Sequence, residues 1–161
     1  MSNQEIIRRK RYCQIVKEIT GSDQYLVIGI DVGKDKHHAF LGSATGKSLF
    51  RKLIFENNLD GFSRLLQIAD EIKSQNGLSK IVYGVEPTGN YHKPLARHLI
   101  RCACNVVLVS GVALKRNREL LNGRWDKNDT KDSANVADLM AQGKCQFFEI
   151  PDLALVQVRN L

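Results

Sequence analysis

Residues 25–32 read YLVIGIDV, a dense apolar run interrupted by one glycine and by Asp31. The run is too short for an ordinary buried helix and too continuous for a strand with one wet face. It predicts a strand covered on both sides. A carboxylate at the end of such a strand is costly unless it meets a cation or hydrogen-bond donors. Gly33 follows two residues later and lets the chain turn, or lets another group approach the backbone. The competing reading is structural: Asp31 caps the turn at Gly33 and Lys34.

Working outward, residues 37–42 (HHAFLG) and 48–55 (SLFRKLIF) read as two further strands, joined by the turn at Ser43-Ala44-Thr45-Gly46. The three strands form an antiparallel meander. Asn58 or Asp60 then caps a helix with Phe62, Leu65, Leu66, Ala69 and Ile72 on one stripe, ended by Gly77. Residues 80–86 (KIVYGVE) form a fourth strand, stopped by Pro87. A helix over 91–103, a fifth strand over 105–109, a basic segment and a last helix from about Thr130 to Gln142 follow. Upstream, residues 1–22 are polar and basic, with Ile6, Ile7, Ile15, Val16 and Ile19 at roughly helical spacing. They form either a short helix that packs on something or a solvated lead. Three strands followed by alternating helices and strands predict an α/β fold: a five-stranded mixed sheet with helices on both faces, the RNase H-like arrangement.

The chain has 161 residues, 43% of them hydrophobic, which suits one domain with a real core better than two. The expected division is a basic lead over 1–22, the α/β domain over 23–150, and the start of a following element over 151–161. A net charge of +7 favours a polyanionic partner. Cys13, Cys102, Cys104 and Cys145 form no CxxC pair, which speaks against structural zinc. Cys102 and Cys104 are placed on a buried helix end, and free thiols suit a reducing cytoplasm. No apolar run approaches the roughly 20 residues of a membrane span. Arg8, Arg9, Lys10 and Arg11 are not followed by the apolar stretch of a secretory signal.

Four acids define the candidate site. Glu86 ends the fourth strand, held extended by Pro87, and ligands of open α/β sheets gather at strand carboxyl ends. Asp129 and Asp132 stand three apart at the start of the last helix, so both project to one side. That side also carries Val136, Leu139 and Met140, which face the sheet, whereas Asp138 lies about 120–180° away and reads as solvated. Each acid has a bland alternative, an exposed strand end for Glu86 and helix-start stabilisation for the two aspartates. Together with Asp31 they suit a site of two Mg²⁺ ions about 3.5–4 Å apart acting on phosphodiesters. Lys115, Arg116, Arg118, Arg124 and Lys127 are candidates to hold a phosphate backbone beside it, or form a solvated loop. Trp125, the single tryptophan, reads as packing more readily than as a stacking platform.

The stretches GIDVGKDKHHAF, GVEPTGNYHKPLARHLI, KRNREL, KNDTKD with ANVADLM, and the final LVQVRNL closely resemble the DEDD transposases of the IS one-ten insertion-sequence group, from about Tyr25 onward. The resemblance places the family's four acids on Asp31, Glu86, Asp129 and Asp132. It makes the domain similar to the Holliday-junction resolvase RuvC, with Piv-like DNA invertases as relatives. It implies a DNA recombinase dependent on Mg²⁺ (or Mn²⁺), a structured guide RNA in at least some members, and a homo-oligomer in the full-length protein. It also implies a C-terminal domain that supplies a nucleophilic serine; the chain stops before it, so strand transfer by these 161 residues alone is not expected. Val109-Ser110-Gly111 departs from the Asn-Pro turn common in relatives, and the lead over 1–22 is a second departure.

Two other classes compete. A non-catalytic nucleic-acid-binding module on the same fold predicts binding indifferent to Mg²⁺. An actin-like or sugar-kinase phosphotransferase fragment also opens with a strand and an Asp-x-Gly turn. It needs a second glycine-rich phosphate loop, for which Glu86-Pro87-Thr88-Gly89 is a poor substitute.

Overall fold

The structure, a computed structural model, describes residues 2–120 and 131–150. The elements run α1 (Asn3–Glu18), β1 (Tyr25–Asp31), β2 (Lys36–Ser43), β3 (Ser48–Glu56), α2 (Leu59–Gln75), β4 (Lys80–Val85), α3 (Lys93–Arg101), β5 (Asn105–Leu108), α4 (Gly111–Leu120), α5 (Lys131–Ala141) and β6 (Gln146–Phe147). The strands lie in one sheet in the order β3-β2-β1-β4-β5-β6. β1 pairs antiparallel with β2 and β2 with β3, while β1 runs parallel to β4 and β4 to β5. The apolar run 25–32 thus becomes a central strand.

Alternation along β1 sorts the core into two layers. Leu26, Ile28 and Ile30 face α2 and α3, together with Tyr83, Val85, Leu95 and Leu99. Tyr25 and Val27 face the other way, with Val82, Leu114, Val136, Leu139 and Met140 from β4, α4 and α5, and with Ile15 and Ile19 of α1. The expected inward set on the last helix is therefore found. Asn58 caps α2 by accepting from the Gly61 amide, and Gly77 after it has φ +66°. The left-handed turn there is open to glycine at no steric cost.

Four details differ from the sequence reading. The sheet has a sixth strand, β6, antiparallel to β5. Two residues carry too little pattern to be read as a strand; β6 is held by its neighbours. The basic segment after β5 is in part a helix, α4, whose inward positions are Leu114 and Asn117. An inward face made half of asparagine leaves almost no apolar periodicity to detect. The helix expected over 91–103 is shorter, Lys93–Arg101. Cys102 caps it but is exposed, and Cys104 is half-buried, so the pair does not sit on a buried end.

The lead over 1–22 contains a docked helix. Ile15 and Ile19 of α1 are buried. The Tyr12 hydroxyl donates to the Cys145 carbonyl at 2.7 Å, and the Arg8 guanidinium donates to the Phe148 carbonyl at 2.6 Å. Arg8 and Arg9 lie over the Phe147 ring, and Arg9 also pairs with Glu149 at 2.7 Å. Cation–π and ion-pair contacts of this kind, each small at the surface, together latch α1 onto β6 and the residues after it. Among the described residues no helix is long and apolar enough to cross a membrane.

Candidate functional site: acids at the strand ends

The parallel pairing of β1 with β4 aligns Gly29 with Gly84 and Ile30 with Val85. Asp31 is the last residue of β1 and Glu86 the first beyond β4, so both acids stand at neighbouring carboxyl ends. By alternation both belong to the α5 face, the side of Val27 and Val82. The aligned glycines explain how α5 reaches them. A Cβ on Gly29 would collide with the Ser133 carbonyl and the Ala137 amide, and one on Gly84 with the Met140 side chain. α5 therefore rests directly on the sheet backbone across β1 and β4, with Asp132 in its first turn above the strand ends.

Burial is the largest cause raising the proton affinity of Asp31, followed by the charge of Asp132; His38 and Arg118 oppose it. Burial likewise raises that of Glu86, followed by the charges of Asp31 and Asp132, with Arg118 opposing. The charge of Asp132 thus reaches both strand-end acids, and that of Asp31 reaches Glu86. Asp129, together with Arg124, Trp125 and Lys127, lies outside the described residues.

Two cationic features complete the surroundings. Arg118 of α4 donates to Asp132 Oδ1 at 2.9 Å, an ion pair with both side chains more than half exposed. The sequence offers Arg118 as a phosphate contact; in the fold it faces an acid. Lys115 and Arg116, also on α4, are exposed. Ser110 caps α4, its hydroxyl accepting from the Ala113 amide at 3.1 Å. A Cβ on Gly111 would stand 2.9 Å from Glu86 Oε1, so Ser110-Gly111 brings the positive end of a helix to that carboxylate.

Sequence reasoning missed His38 and misplaced Asp138. His38 stands opposite Asp31 in the β1–β2 ladder, and its Nδ1 is buried without a hydrogen-bond partner. The signal was available: in an antiparallel pair joined by a turn, residues 31 and 38 fall into register. Asp138 is not a solvated residue. It accepts from Asn117 Nδ2 at 2.9 Å and from Gln142 Nε2 at 2.7 Å. Its helical angle is as expected, but α4, a helix the sequence pattern does not disclose, covers that side. Behind the site, buried His37 accepts from the Gly33 amide at 3.2 Å and packs on Phe55 and Phe62, fixing the turn after Asp31.

The donor chemistry fits a divalent cation: hard carboxylate oxygens on one face, two of them made more basic by burial and mutual repulsion. Among the described residues no group of three His, Cys, Asp or Glu side chains stands close enough to hold a metal ion. Asp132 is turned to Arg118 instead.

A three-stranded antiparallel meander continued by parallel strands, with helices on both faces and acids at adjacent strand ends, defines an RNase H-like domain. The sequence profile of the DEDD transposases of the IS110 (IS one-ten) type matches residues 28–161, and the chain belongs to this family. It carries a DNA transposase domain, a DNA-processing enzyme by family. No curated protein matches the chain. The match begins inside β1, so α1 lies outside it.

Proposed function

We propose that Asp31, Glu86, Asp129 and Asp132 hold Mg²⁺ or Mn²⁺ for phosphodiester cleavage and strand transfer in DNA. The observation that supports this reading is that Asp31 and Glu86 end adjacent parallel strands on the face that α5 covers with Asp132 in its first turn, both acids raised first by burial, Asp31 then by Asp132 and Glu86 then by Asp31 and Asp132. When bound, the metal supplies a Lewis acid for the phosphate and an activated oxygen nucleophile. The protein's own contribution is to set Asp31 and Glu86 side by side at the strand ends and keep these two partly dry. Lys115 and Arg116 offer exposed charge for the phosphate backbone, with Arg124 and Lys127 assigned to the same role. A serine from a further domain, a structured guide RNA and self-assembly of the full-length protein belong to this reading through the family.

Mn²⁺ titration by calorimetry tests it. Asp31→Asn and Glu86→Gln should each weaken binding at least tenfold. Unchanged affinity in both variants would remove the strand-end acids from the site. The Arg118–Asp132 pair favours one second reading, a domain that binds nucleic acid without metal. It requires DNA affinity that is the same in chelator and in millimolar Mg²⁺.

A further inference from the structure

Asn117 on α4 and Asn135 on α5 are buried, 4% and 1% exposed. Asn117 Nδ2 donates to Asn135 Oδ1 at 2.7 Å and to Asp138 Oδ2 at 2.9 Å. Asn135 Nδ2 donates to the Leu114 carbonyl at 2.8 Å. Gln142 Nε2 reaches Asp138 at 2.7 Å and Asn117 Oδ1 at 3.4 Å. A packed apolar contact between two helices can regroup after a small slide. A buried amide network cannot, because any shift strands donors and acceptors away from water. This network therefore defines a single register of α4 against α5.

That register carries the site. Arg118, one residue after Asn117, pairs with Asp132, three residues before Asn135. At the other end of α4, Gly111 abuts Glu86. We propose that Asn117 and Asn135 are positioning residues that hold α4 and α5 so that Asp132 and Glu86 meet over the strand ends. The proposal rests on the metal-binding reading above.

The test compares the 161-residue chain with Asn117→Leu/Asn135→Leu and with Asp132→Asn. Three quantities are read: the Mn²⁺ dissociation constant, the Mn²⁺ EPR spectrum and the melting temperature in chelator. Replacing both asparagines removes their mutual bond at both ends, but Asp138 and the Leu114 carbonyl each lose a donor as well, and a buried polar group left without its partner costs stability. The double variant should therefore melt several degrees below the parent while still unfolding cooperatively, and bind Mn²⁺ at least tenfold more weakly with an altered spectrum. A folded double variant with the parent's affinity and spectrum overturns the proposal. If the leucine pair does not fold, Asn117→Ser decides. Its shorter hydroxyl drops the bonds to both Asn135 and Asp138, and the variant should lose about threefold in affinity; parental affinity counts against the proposal. Binding lost in Asp132→Asn but kept in the asparagine variants sinks the positioning role and leaves the metal site standing. A parent that takes up no Mn²⁺ at millimolar concentration overturns the metal reading, and the positioning role with it.

Discussion

At the scale of single residues, Asp31 concentrates the tension in this molecule. Burial and the charge of Asp132 raise its proton affinity above the ordinary value of 3.8, and Glu86 is raised above 4.5. The folded state then holds these protons more tightly than the unfolded chain. That advantage is complete below about pH 4 and is lost as the pH rises through the raised values. At neutral pH without metal the charges oppose folding. Asp31→Asn should therefore melt a few degrees above the parent at pH 7 in chelator, with the gain shrinking toward pH 4. Melting curves across that range check it, and a gain independent of pH would point to packing instead. The glycines give a second prediction. Gly29→Ala drives a methyl into α5 backbone, whereas Gly84→Ala meets the end of the flexible Met140 side chain. Overpacking costs about 1–3 kcal/mol and sometimes more. Gly29→Ala should sit at or above the top of that range and Gly84→Ala near the bottom, as read from urea unfolding; equal losses would mean that α5 is not seated on the β1 backbone.

At the scale of elements, α4 joins two roles. It shows Lys115 and Arg116 to solvent while directing Arg118 to Asp132. Removing one cation that neutralises a phosphate flattens the dependence of log affinity on log salt by about 0.9 for duplex DNA. Lys115→Ala/Arg116→Ala should lower the DNA-binding slope by roughly two. Arg118→Ala, already neutralised by Asp132, should change it little in chelator. A double variant with the parental slope would move the interface off α4. These elements also show what was legible in the sequence. β1, β4 and α5 were readable because burial on known faces imposes a pattern: continuous apolar runs for the central strands, and Val136, Leu139 and Met140 on one helical side. α4 was not, because its inward face is shared between Leu114 and an amide, Asn117, which leaves too short an apolar period to read. β6 was not, because two residues hold their place only through β5 and α1. The acids at positions 31, 86 and 132 were legible as strand-end and helix-start carboxylates. The ion pair that Arg118 makes was not, since it depends on how α4 packs against α5.

At the scale of the whole molecule, metal should act as a ligand of the folded state. At about ten times its dissociation constant it adds roughly 1.4 kcal/mol, about 3–6 °C for a domain of this size. Asp132→Asn should lose most of that rise. Asp138→Asn should keep it, although its bonds to Asn117 and Gln142 give it a stability cost of its own, so the comparison is between rises and not between absolute melting temperatures. Equal rises in the two variants would leave Asp132 a helix-start residue only. Beyond the site, the latch of α1 onto residues 145–149 ties together groups 133 and 140 positions apart. On the ribosome this helix is made well before the residues it docks on. At about 5–20 residues per second, roughly 7–28 s pass between the emergence of Arg8 and that of Phe148. Through that interval Ile15 and Ile19 are denied their final burial, and the domain completes itself only when its far end clears the exit tunnel and the ring of contacts shuts.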